Sequence, residues 1–189
     1  MADAAGLEDP RKWVWLEQVH GAEVVEVASA PPSPPRADAA TTSALGVPIA
    51  IVTADCAPVV LACRDAFGVV HAGHKGLTSG VIEAAVARVR AIGTGDVRAF
   101  LGPCIRAECY EFGAEDLARV VATLGPDVEG RTRAGRPAFD LAAGVRRALA
   151  RAGVDGIEDC DVCTADSDAL FSYRRDGTTG RQVTVAVRR

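Results

Sequence analysis

The chain has 189 residues, of which 49% are apolar, so it is long enough for one well-buried core and too short for two ordinary domains. We therefore expect a single domain over residues 1–189. A formal net charge of -4 argues against a nucleic-acid partner, because binding to nucleic acid depends largely on cationic groups that neutralise phosphates. Small molecules are the expected partners.

The N-terminus is acidic and lacks the basic start and apolar core of a secretory signal. No apolar run approaches the roughly 20 residues needed to cross a bilayer, so we expect a cytoplasmic protein without a membrane partner. Cysteines in a reducing compartment serve as metal ligands, catalytic groups or buried thiols rather than as disulfides. This expectation applies to Cys56, Cys63, Cys104, Cys109, Cys160 and Cys163.

Short runs rich in aromatic and β-branched residues predict strands in the first half of the chain. Residues 13–16 and 22–28 predict two strands joined by a turn at His20 and Gly21. Closely spaced prolines predict an extended surface loop over residues 29–36. Near-continuous apolar runs predict strands covered on both faces at residues 48–53, 59–63 and 67–71.

Apolar residues at helical spacing predict three helices, at residues 78–92, 114–124 and 141–152. Gly93 is expected to end the first helix, and Asp140 is expected to cap the third. The rest of this half is predicted as a buried strand at 97–101, a polar loop at 171–181 and a last strand at 182–187. Strands and helices thus mix without strict alternation.

Two of the three histidines and one cysteine form a candidate metal-ligand set. Cys56 and His71 fall at the ends of predicted central strands, and His20 falls at the end of a predicted N-terminal strand. Imidazole and thiolate are ligands that zinc prefers, and three of them leave a fourth position free for water or substrate. We therefore expect His20, Cys56 and His71 to bind a metal and to act in catalysis.

Five ordered motifs between residues 18 and 187 resemble the YfiH or laccase-domain family. They are Gln-Val-His-Gly at 18–21, Thr-Ala-Asp-Cys-Ala-Pro-Val at 53–59, His-Ala-Gly at 71–73, Leu-Gly-Pro-Cys-Ile at 101–105 with Cys-Tyr-Glu at 109–111, and Phe-Ser-Tyr-Arg-Arg-Asp-Gly at 171–177. The resemblance implies the α+β class, as a layered α/β sandwich with mixed sheets covered by helices. It also implies a metal site formed by His20, Cys56 and His71.

Members of that family are described as polyphenol oxidases, as purine nucleoside phosphorylases with adenosine deaminase activity, and as peptidoglycan editing factors. The resemblance thus implies a zinc enzyme that acts on small nucleosides and phosphate, with Cu²⁺ as a possible replacement for Zn²⁺. A multicopper laccase needs about ten imidazoles, which three histidines cannot supply. Two alternatives remain open, namely a hydrolase of cell-wall precursors with Cys56 as its nucleophile, and a non-catalytic metal-binding module.

Several residues near the motifs are candidates for substrate binding or for support of the metal ligands. Asp55 either orients a histidine through its second ring nitrogen or caps a turn at the strand end. His74 is a fourth ligand, a proton shuttle or part of the pocket wall. Phosphorolysis needs phosphate held beside the sugar, and the candidate residues for binding it are Lys75, Arg174, Arg175 and Arg181. The alternative is that these residues only form a solvated basic loop.

The sequence departs from the family pattern in two places. His74 and Lys75 stand where relatives usually carry Trp and Arg. The lysine keeps a positive charge at its position, but a compact ammonium replaces the planar guanidinium. Relatives usually have several tens of residues before the first motif, so we expect a member without the usual N-terminal segment. Away from the ligand set, a four-thiolate zinc site is a less favoured alternative to buried thiols for Cys104, Cys109, Cys160 and Cys163.

Overall fold

The structure, a computed structural model, describes residue 7 and residues 9–189. Its strands are β1 (Val24–Glu26), β2 (Ala39–Thr42), β3 (Ile49–Thr53), β4 (Ala57–Ala62), β5 (Phe67–Ala72), β6 (Arg98–Leu101), β7 (Glu129–Arg131), β8 (Pro137–Phe139), β9 (Gly156–Asp159) and β10 (Gln182–Ala186). Its α-helices are α1 (His74–Thr78), α2 (Val81–Ile92), α3 (Ala114–Leu124), α4 (Leu141–Arg151) and α5 (Tyr173–Asp176).

A six-stranded sheet with the order β1-β2-β5-β4-β6-β9 forms the middle layer. The β1–β2 and β6–β9 pairs are parallel and the other three pairs are antiparallel, so the sheet is mixed. Strands β3 and β10 form a second, antiparallel pair, and β7 and β8 form a third. The predicted α+β class with mixed sheets is confirmed. Within the described residues, no helix is both long and apolar enough to span a bilayer.

All six residues of β5 are buried, because the strand is covered on both faces. Val70 and Ala72 face a core that helices α2 and α4 close on one side. Phe67 and Val69 face a second core, which β3 closes on the other side with residues such as Ile51. Side chains alternate along a strand, so the position of these residues places His71 on the β3 side of the sheet.

The predicted N-terminal hairpin is wrong. Residues 13–16 form no strand, and Val14 instead makes an isolated bridge to Ile49, donating to the Pro48 carbonyl at 2.8 Å. Strand β1 pairs in parallel with β2, which the sequence analysis did not predict. The sequence of β2 is Ala-Ala-Thr-Thr, which has neither the length nor the apolar alternation on which strand prediction depends.

The predicted helix at residues 78–92 corresponds to α2, which begins three residues later than predicted, and the short helix α1 before it was not predicted. Gly80 separates them with a left-handed φ of 84°, a conformation that glycine adopts without steric cost. The prediction of α3 is confirmed at both ends, and α4 ends one residue earlier than predicted. Strands β7, β8 and β9 were missed because each has only three or four residues, and the short helix α5 lies inside the predicted polar loop.

Asp140 caps α4 as predicted, since its Oδ1 accepts a hydrogen bond from the Ala143 N–H at 2.8 Å. Asp140→Ala leaves this N–H without its partner and is expected to lower the free energy of unfolding by about 1 kcal/mol. Asp140→Asn keeps an oxygen in place and should recover most of the loss. Urea unfolding of the variants, with Asp155→Ala in an exposed loop as the control, measures the difference; equal losses at both aspartates would contradict the cap.

Candidate metal centre and cavity

The structure brings His20, Cys56 and His71 together at one point. One potential ligand atom from each residue lies within 4.8 Å of the other two, and Cys56 Sγ is 3.8 Å from His20 Nε2. Tetrahedral zinc with ordinary bond lengths holds a sulfur and a nitrogen ligand about 3.6 Å apart. The donor types and their separation therefore fit a zinc ion with a fourth position free.

Strand register brings two of these residues to the same edge of the sheet. Strand β4 begins at Ala57, which pairs with Ala72 at the end of β5. Cys56, in the turn that precedes β4, consequently lies beside His71. His20 comes from the loop before β1, and the Gln18 side chain fastens this loop to β3 through two 2.8 Å hydrogen bonds with the Val52 backbone.

Asp38 is a buried carboxylate that holds two of the three ligand residues. Its Oδ1 lies 2.8 Å from His71 Nδ1, and its side chain is completely buried. The same carboxylate accepts hydrogen bonds from the backbone N–H groups of Val19, His20 and Gly21 at 3.2, 2.9 and 2.6 Å. A carboxylate on Nδ1 keeps the proton on that nitrogen and leaves Nε2 free to bind a metal.

Sequence reasoning missed Asp38, although one signal was present. A carboxylate directly before the short strand β2 faces His71 across the sheet, because Ala39 pairs with Val70 in the register. That signal depends on knowing β2, and β2 itself was not predicted. Asp38 thus orients His71, a role for which Asp55 was the candidate in the sequence.

Electrostatic interactions within the group favour the charged forms of its members. Burial raises the pKa of the Cys56 thiol, but hydrogen bonds to His20 and His71 outweigh burial and lower this pKa to about 7. Burial lowers the pKa of His71, but hydrogen bonds to Asp38 and Cys56 outweigh it and raise the pKa to about 9. Without a metal, both shifts favour a thiolate on Cys56 beside an imidazolium on His71.

Gly73 allows the ligand residues to approach each other. A Cβ at this position would lie 3.0 Å from Cys56 Sγ and 3.0 Å from His20 Cδ2, closer than most real Cβ contacts, so both neighbours would have to move. The backbone of His20 itself has a φ of 60°, which is uncommon for a residue with a side chain. Close packing and a constrained backbone are features of functional sites, where the surrounding structure holds an unfavourable local conformation in place.

The three residues form part of the wall of a cavity of about 480 Å³, a volume typical of small-molecule sites. The remaining wall residues come from the loop before β1, from β3 and its following turn, from α1, and from the C-terminal half of the chain. They are Gln18, Val52, Thr53, Ala54, Asp55, His74, Tyr110, Tyr173, Arg174 and Arg181. A small molecule in this cavity would lie beside the metal ligands and near two guanidinium groups.

The hydrogen bonds of the Asp55 carboxylate join it to distant segments of the chain rather than to a histidine or to its own turn. Its Oδ1 accepts from Thr164 Oγ1 at 2.6 Å, and its Oδ2 accepts from the Arg174 N–H at 2.7 Å. The Asp55 carbonyl accepts from the Ile105 N–H at 2.9 Å, and its φ is 96°. Asp55 thus joins the turn that carries Cys56 to the C-terminal loops.

The candidate cations divide into two groups. Arg174 and Arg181 line the cavity, and the Arg174 guanidinium lies 4.8 Å from the centre of the Tyr110 ring. Lys75 is exposed on α1 and is not among the wall residues. The Arg175 guanidinium donates to backbone carbonyls of the preceding loop, including those of Ser167 and Leu170. Substrate binding by Lys75 and Arg175 stays a prediction, which the position of Lys75 outside this cavity and the carbonyl contacts of Arg175 do not favour.

His74 belongs to the cavity wall rather than to the metal-ligand set. The group of converging ligand atoms found in the described residues does not include it. Its ring packs edge-on against Phe112 at 5.3 Å, and burial, with a smaller contribution from Lys75, lowers its pKa. Tyr110 packs against Phe112 and Phe139 and also lines the cavity.

The whole chain, residues 1–189, matches the family model for multi-copper polyphenol oxidoreductase laccase. The chain belongs to this family. It is 42% identical to a purine nucleoside phosphorylase of Streptomyces coelicolor, over 92% of this chain and 74% of the relative. It is 38% identical to the purine nucleoside phosphorylase YfiH of Escherichia coli, over 91% of this chain and 72% of the relative.

Solved structures show the same fold. A Neisseria meningitidis protein of family DUF152 matches with a TM-score of 0.86 and 31% identity, over 100% of this chain and 78% of the other. The YfiH protein of Bacillus licheniformis matches with a TM-score of 0.88 and 27% identity, over the same shares of the two chains. The YfiH-like resemblance seen in the sequence motifs is therefore confirmed.

His71→Ala removes one imidazole from the candidate metal centre and should lower zinc affinity by at least about 100-fold. Zinc content after dialysis, measured by mass spectrometry of the metal, gives the result. His74→Ala is the matched control, because it removes an imidazole from the same cavity but not from the ligand set. Full zinc occupancy in His71→Ala would contradict the assignment.

Asp38→Asn tests how His71 is oriented. The amide has one oxygen and one NH₂ group, so it must turn the NH₂ either toward His71 Nδ1 or toward the backbone N–H groups of the His20 loop. In either case the proton on Nδ1 or the loop loses its acceptor, and zinc affinity should fall by about 10- to 100-fold. Competition with a chromophoric chelator measures the affinity, and unchanged binding would remove Asp38 from this role.

Proposed function

We propose that this protein is a zinc-dependent purine nucleoside phosphorylase that also has adenosine deaminase-like activity. The observation that carries the proposal is the meeting of two imidazoles and a thiolate in the wall of a cavity that also contains Arg174 and Arg181. Relatives that are 35–42% identical carry the name purine nucleoside phosphorylase. Their names support nucleosides and phosphate as the substrates of this cavity.

His20, Cys56 and His71 would hold the metal. When bound, zinc lowers the pKa of a coordinated water to about 7 and so supplies hydroxide for hydrolytic deamination. Asp38 contributes by keeping the Nδ1 proton on His71, and Gly73 contributes by leaving room for the close approach of Cys56 and His20. A site with one thiolate and two imidazoles also binds Cu²⁺ well, as the Irving–Williams order requires.

Arg174 and Arg181 are the proposed phosphate-binding residues. Guanidinium binds phosphate oxygens in pairs, which orients the nucleophile as well as attracting it. Arg174 is already positioned, since its Nη1 donates to the Glu111 carbonyl at 2.6 Å and its plane lies over Tyr110. A side chain held in place before binding loses little conformational entropy when phosphate arrives.

Aromatic side chains in the cavity wall supply surfaces for a purine. Tyr110, Tyr173 and His74 line the cavity together. Burial raises the pKa of Tyr110 to about 12, so its phenol keeps its proton at neutral pH and remains a hydrogen-bond donor. Stacking on such rings favours a flat base over a saturated ring of similar size.

The family description as a laccase does not extend to multicopper chemistry in this chain. A mononuclear centre together with a trinuclear centre needs about ten imidazoles, whereas this chain has three histidines. Two of these three lie in the proposed zinc site and the third lies in the cavity wall. We therefore assign nucleoside chemistry rather than four-copper oxidation.

A second candidate function uses Cys56 as a nucleophile in a hydrolase of cell-wall precursors. It is favoured by the lowered pKa of the Cys56 thiol, about 7, and by the 3.8 Å separation between Cys56 Sγ and His20 Nε2. In that mechanism the thiolate attacks an amide or ester carbon and a histidine protonates the leaving group. The same residues would then work without zinc.

One set of assays separates these functions. We expect purified zinc-loaded protein to release base from inosine or adenosine in a phosphate-dependent reaction and to convert adenosine to inosine. Removal of zinc by a chelator should abolish turnover, and addition of zinc should restore it. Turnover that persists without metal but is lost after thiol alkylation would favour the hydrolase. If the protein turns over no nucleoside at full zinc occupancy, the result would favour a non-catalytic metal-binding module.

Arg181→Ala tests the phosphate site. Loss of a charge-assisted hydrogen bond should raise the KM for phosphate by about ten-fold or more while the KM for nucleoside changes little. Lys75→Ala is the matched control, since it removes an exposed cation outside the cavity and should change the KM for phosphate by less than about two-fold. Initial rates at varied phosphate concentration give both constants, and equal effects of the two substitutions would place the phosphate elsewhere.

A further inference from the structure

A second group of potential metal ligands lies apart from the first. One ligand atom each from Cys109, Cys163 and Asp166 lies within 4.8 Å of the other two, and Cys109 Sγ is 3.3 Å from Asp166 Oδ1. Cys109 is half-buried, Cys163 is buried and Asp166 is exposed. Cys104 and Cys160, which the four-thiolate alternative required, are not in either converging group among the described residues. The four-thiolate alternative is therefore corrected.

We propose that Cys109, Cys163 and Asp166 bind a second divalent ion of the soft, zinc-like class. Thiolate and carboxylate are both zinc ligands, and three of them leave one position for solvent. In a tetrahedral zinc site two sulfur ligands lie about 3.8 Å apart, and a sulfur and an oxygen lie about 3.6 Å apart. The observed separations require side-chain shifts of no more than about 1 Å. Binding would release the two thiol protons to solvent.

The charges around the group suit the bound state. A divalent ion with two thiolates and one carboxylate has a net charge of -1 by simple addition. The Arg133 guanidinium, whose Nη1 lies 2.7 Å from Asp166 Oδ1 and 3.6 Å from Cys109 Sγ, is in place to neutralise it. A carboxylate has about four lone-pair sites, so Asp166 can bind an ion and still accept hydrogen bonds from Arg133.

Two further features support the assignment. The backbone N–H of Arg106 donates to Cys163 Sγ at 3.4 Å, the kind of outer hydrogen bond that stabilises a metal-bound thiolate. Cys109 and Arg133 lie in the wall of a cavity of about 290 Å³, which gives an ion a path from solvent and a place for the fourth ligand. Cys109, Cys163 and Asp166 thus offer three ligands, a compensating charge on Arg133 and access from solvent for an ion.

The proposed ion would fix two parts of the first cavity. Tyr110, which lines that cavity, follows Cys109 directly, and Thr164, which donates to Asp55, follows Cys163 directly. An ion shared by Cys109 and Cys163 would hold both neighbours at a fixed separation. Its role would be structural, separate from the chemistry proposed for the first site.

A reversible disulfide is the competing use of two adjacent thiols. Disulfide formation needs a thiolate that attacks an oxidised partner, and the carboxylate of Asp166 beside Cys109 disfavours that thiolate. A divalent ion instead removes the thiol protons and is attracted by the same carboxylate. The local chemistry therefore favours metal binding over redox exchange.

Cobalt titration of reduced, metal-free full-length protein tests the proposal, because Co²⁺ bound by thiolate has a strong charge-transfer absorption. Cys56→Ser removes the thiolate of the first site, so any remaining absorption reports the second. We expect Cys56→Ser to show this absorption at one equivalent of Co²⁺. Adding Cys109→Ser to this background should abolish it, whereas adding Cys160→Ser, a partly buried cysteine outside the group, should leave it unchanged.

Thermal unfolding of each variant, with and without zinc, provides the second readout. Zinc should raise the Tm of Cys56→Ser and not that of Cys56→Ser with Cys109→Ser. If the latter double variant fails to fold, Asp166→Asn in the Cys56→Ser background replaces it and should bind Co²⁺ about ten-fold more weakly.

Three results would overturn the proposal. They are the absence of thiolate absorption in Cys56→Ser, absorption that survives Cys109→Ser, and unchanged affinity in Asp166→Asn. A Cys109–Cys163 disulfide in protein purified without reductant, with no cobalt absorption after its reduction, would assign the pair to redox chemistry instead.

Discussion

The buried carboxylate of Asp38 is the interaction on which the candidate metal centre depends. It accepts a hydrogen bond from His71 and three more from consecutive backbone N–H groups at residues 19–21. A charged group without such partners would be costly to bury, and burial alone raises the pKa of Asp38. Its hydrogen bonds outweigh burial and lower this pKa, so the carboxylate stays charged. The same carboxylate oxygens of Asp38 therefore stabilise the loop at residues 19–21 and orient His71.

Asp55 has a parallel role for the other half of the site. It lies in the turn between β3 and β4 and fastens Thr164 and the Arg174 backbone, which belong to loops more than 100 residues away in sequence. Arg175 then holds the loop before α5 through several backbone carbonyls. The cavity is consequently built from two halves of the chain, and aspartates rather than apolar contacts join the parts that line it.

Residue patterns alone predicted those strands and helices whose formation depends on residues close together in the sequence. The apolar runs of β4 and β5 and the periodicity of α3 give a signal within a few residues, and the ligand types of His20, Cys56 and His71 have a chemical meaning wherever they lie. Asp38 could not be found in this way, because its role exists only in the register between β2 and β5. The carbonyl contacts of Arg175 could not be predicted either, because a guanidinium that binds carbonyls and one that binds phosphate look the same in a sequence.

The candidate metal ligands and the rest of the cavity wall lie on parts of the fold that differ in burial. His71 lies on β5, a strand buried on both faces, and Cys56 lies at the start of β4 beside it, so two ligand positions are fixed by the core. Tyr173, Arg174 and Arg181 lie instead on C-terminal segments that are mostly exposed. Substitution there changes the wall of the cavity at little cost to the core, whereas substitution of the ligand residues acts on the most rigid part of the fold. His74 and Lys75, which begin α1, lie at the boundary between these two regions. Substitution at these two positions could change the substrate and leave the candidate metal ligands unaltered.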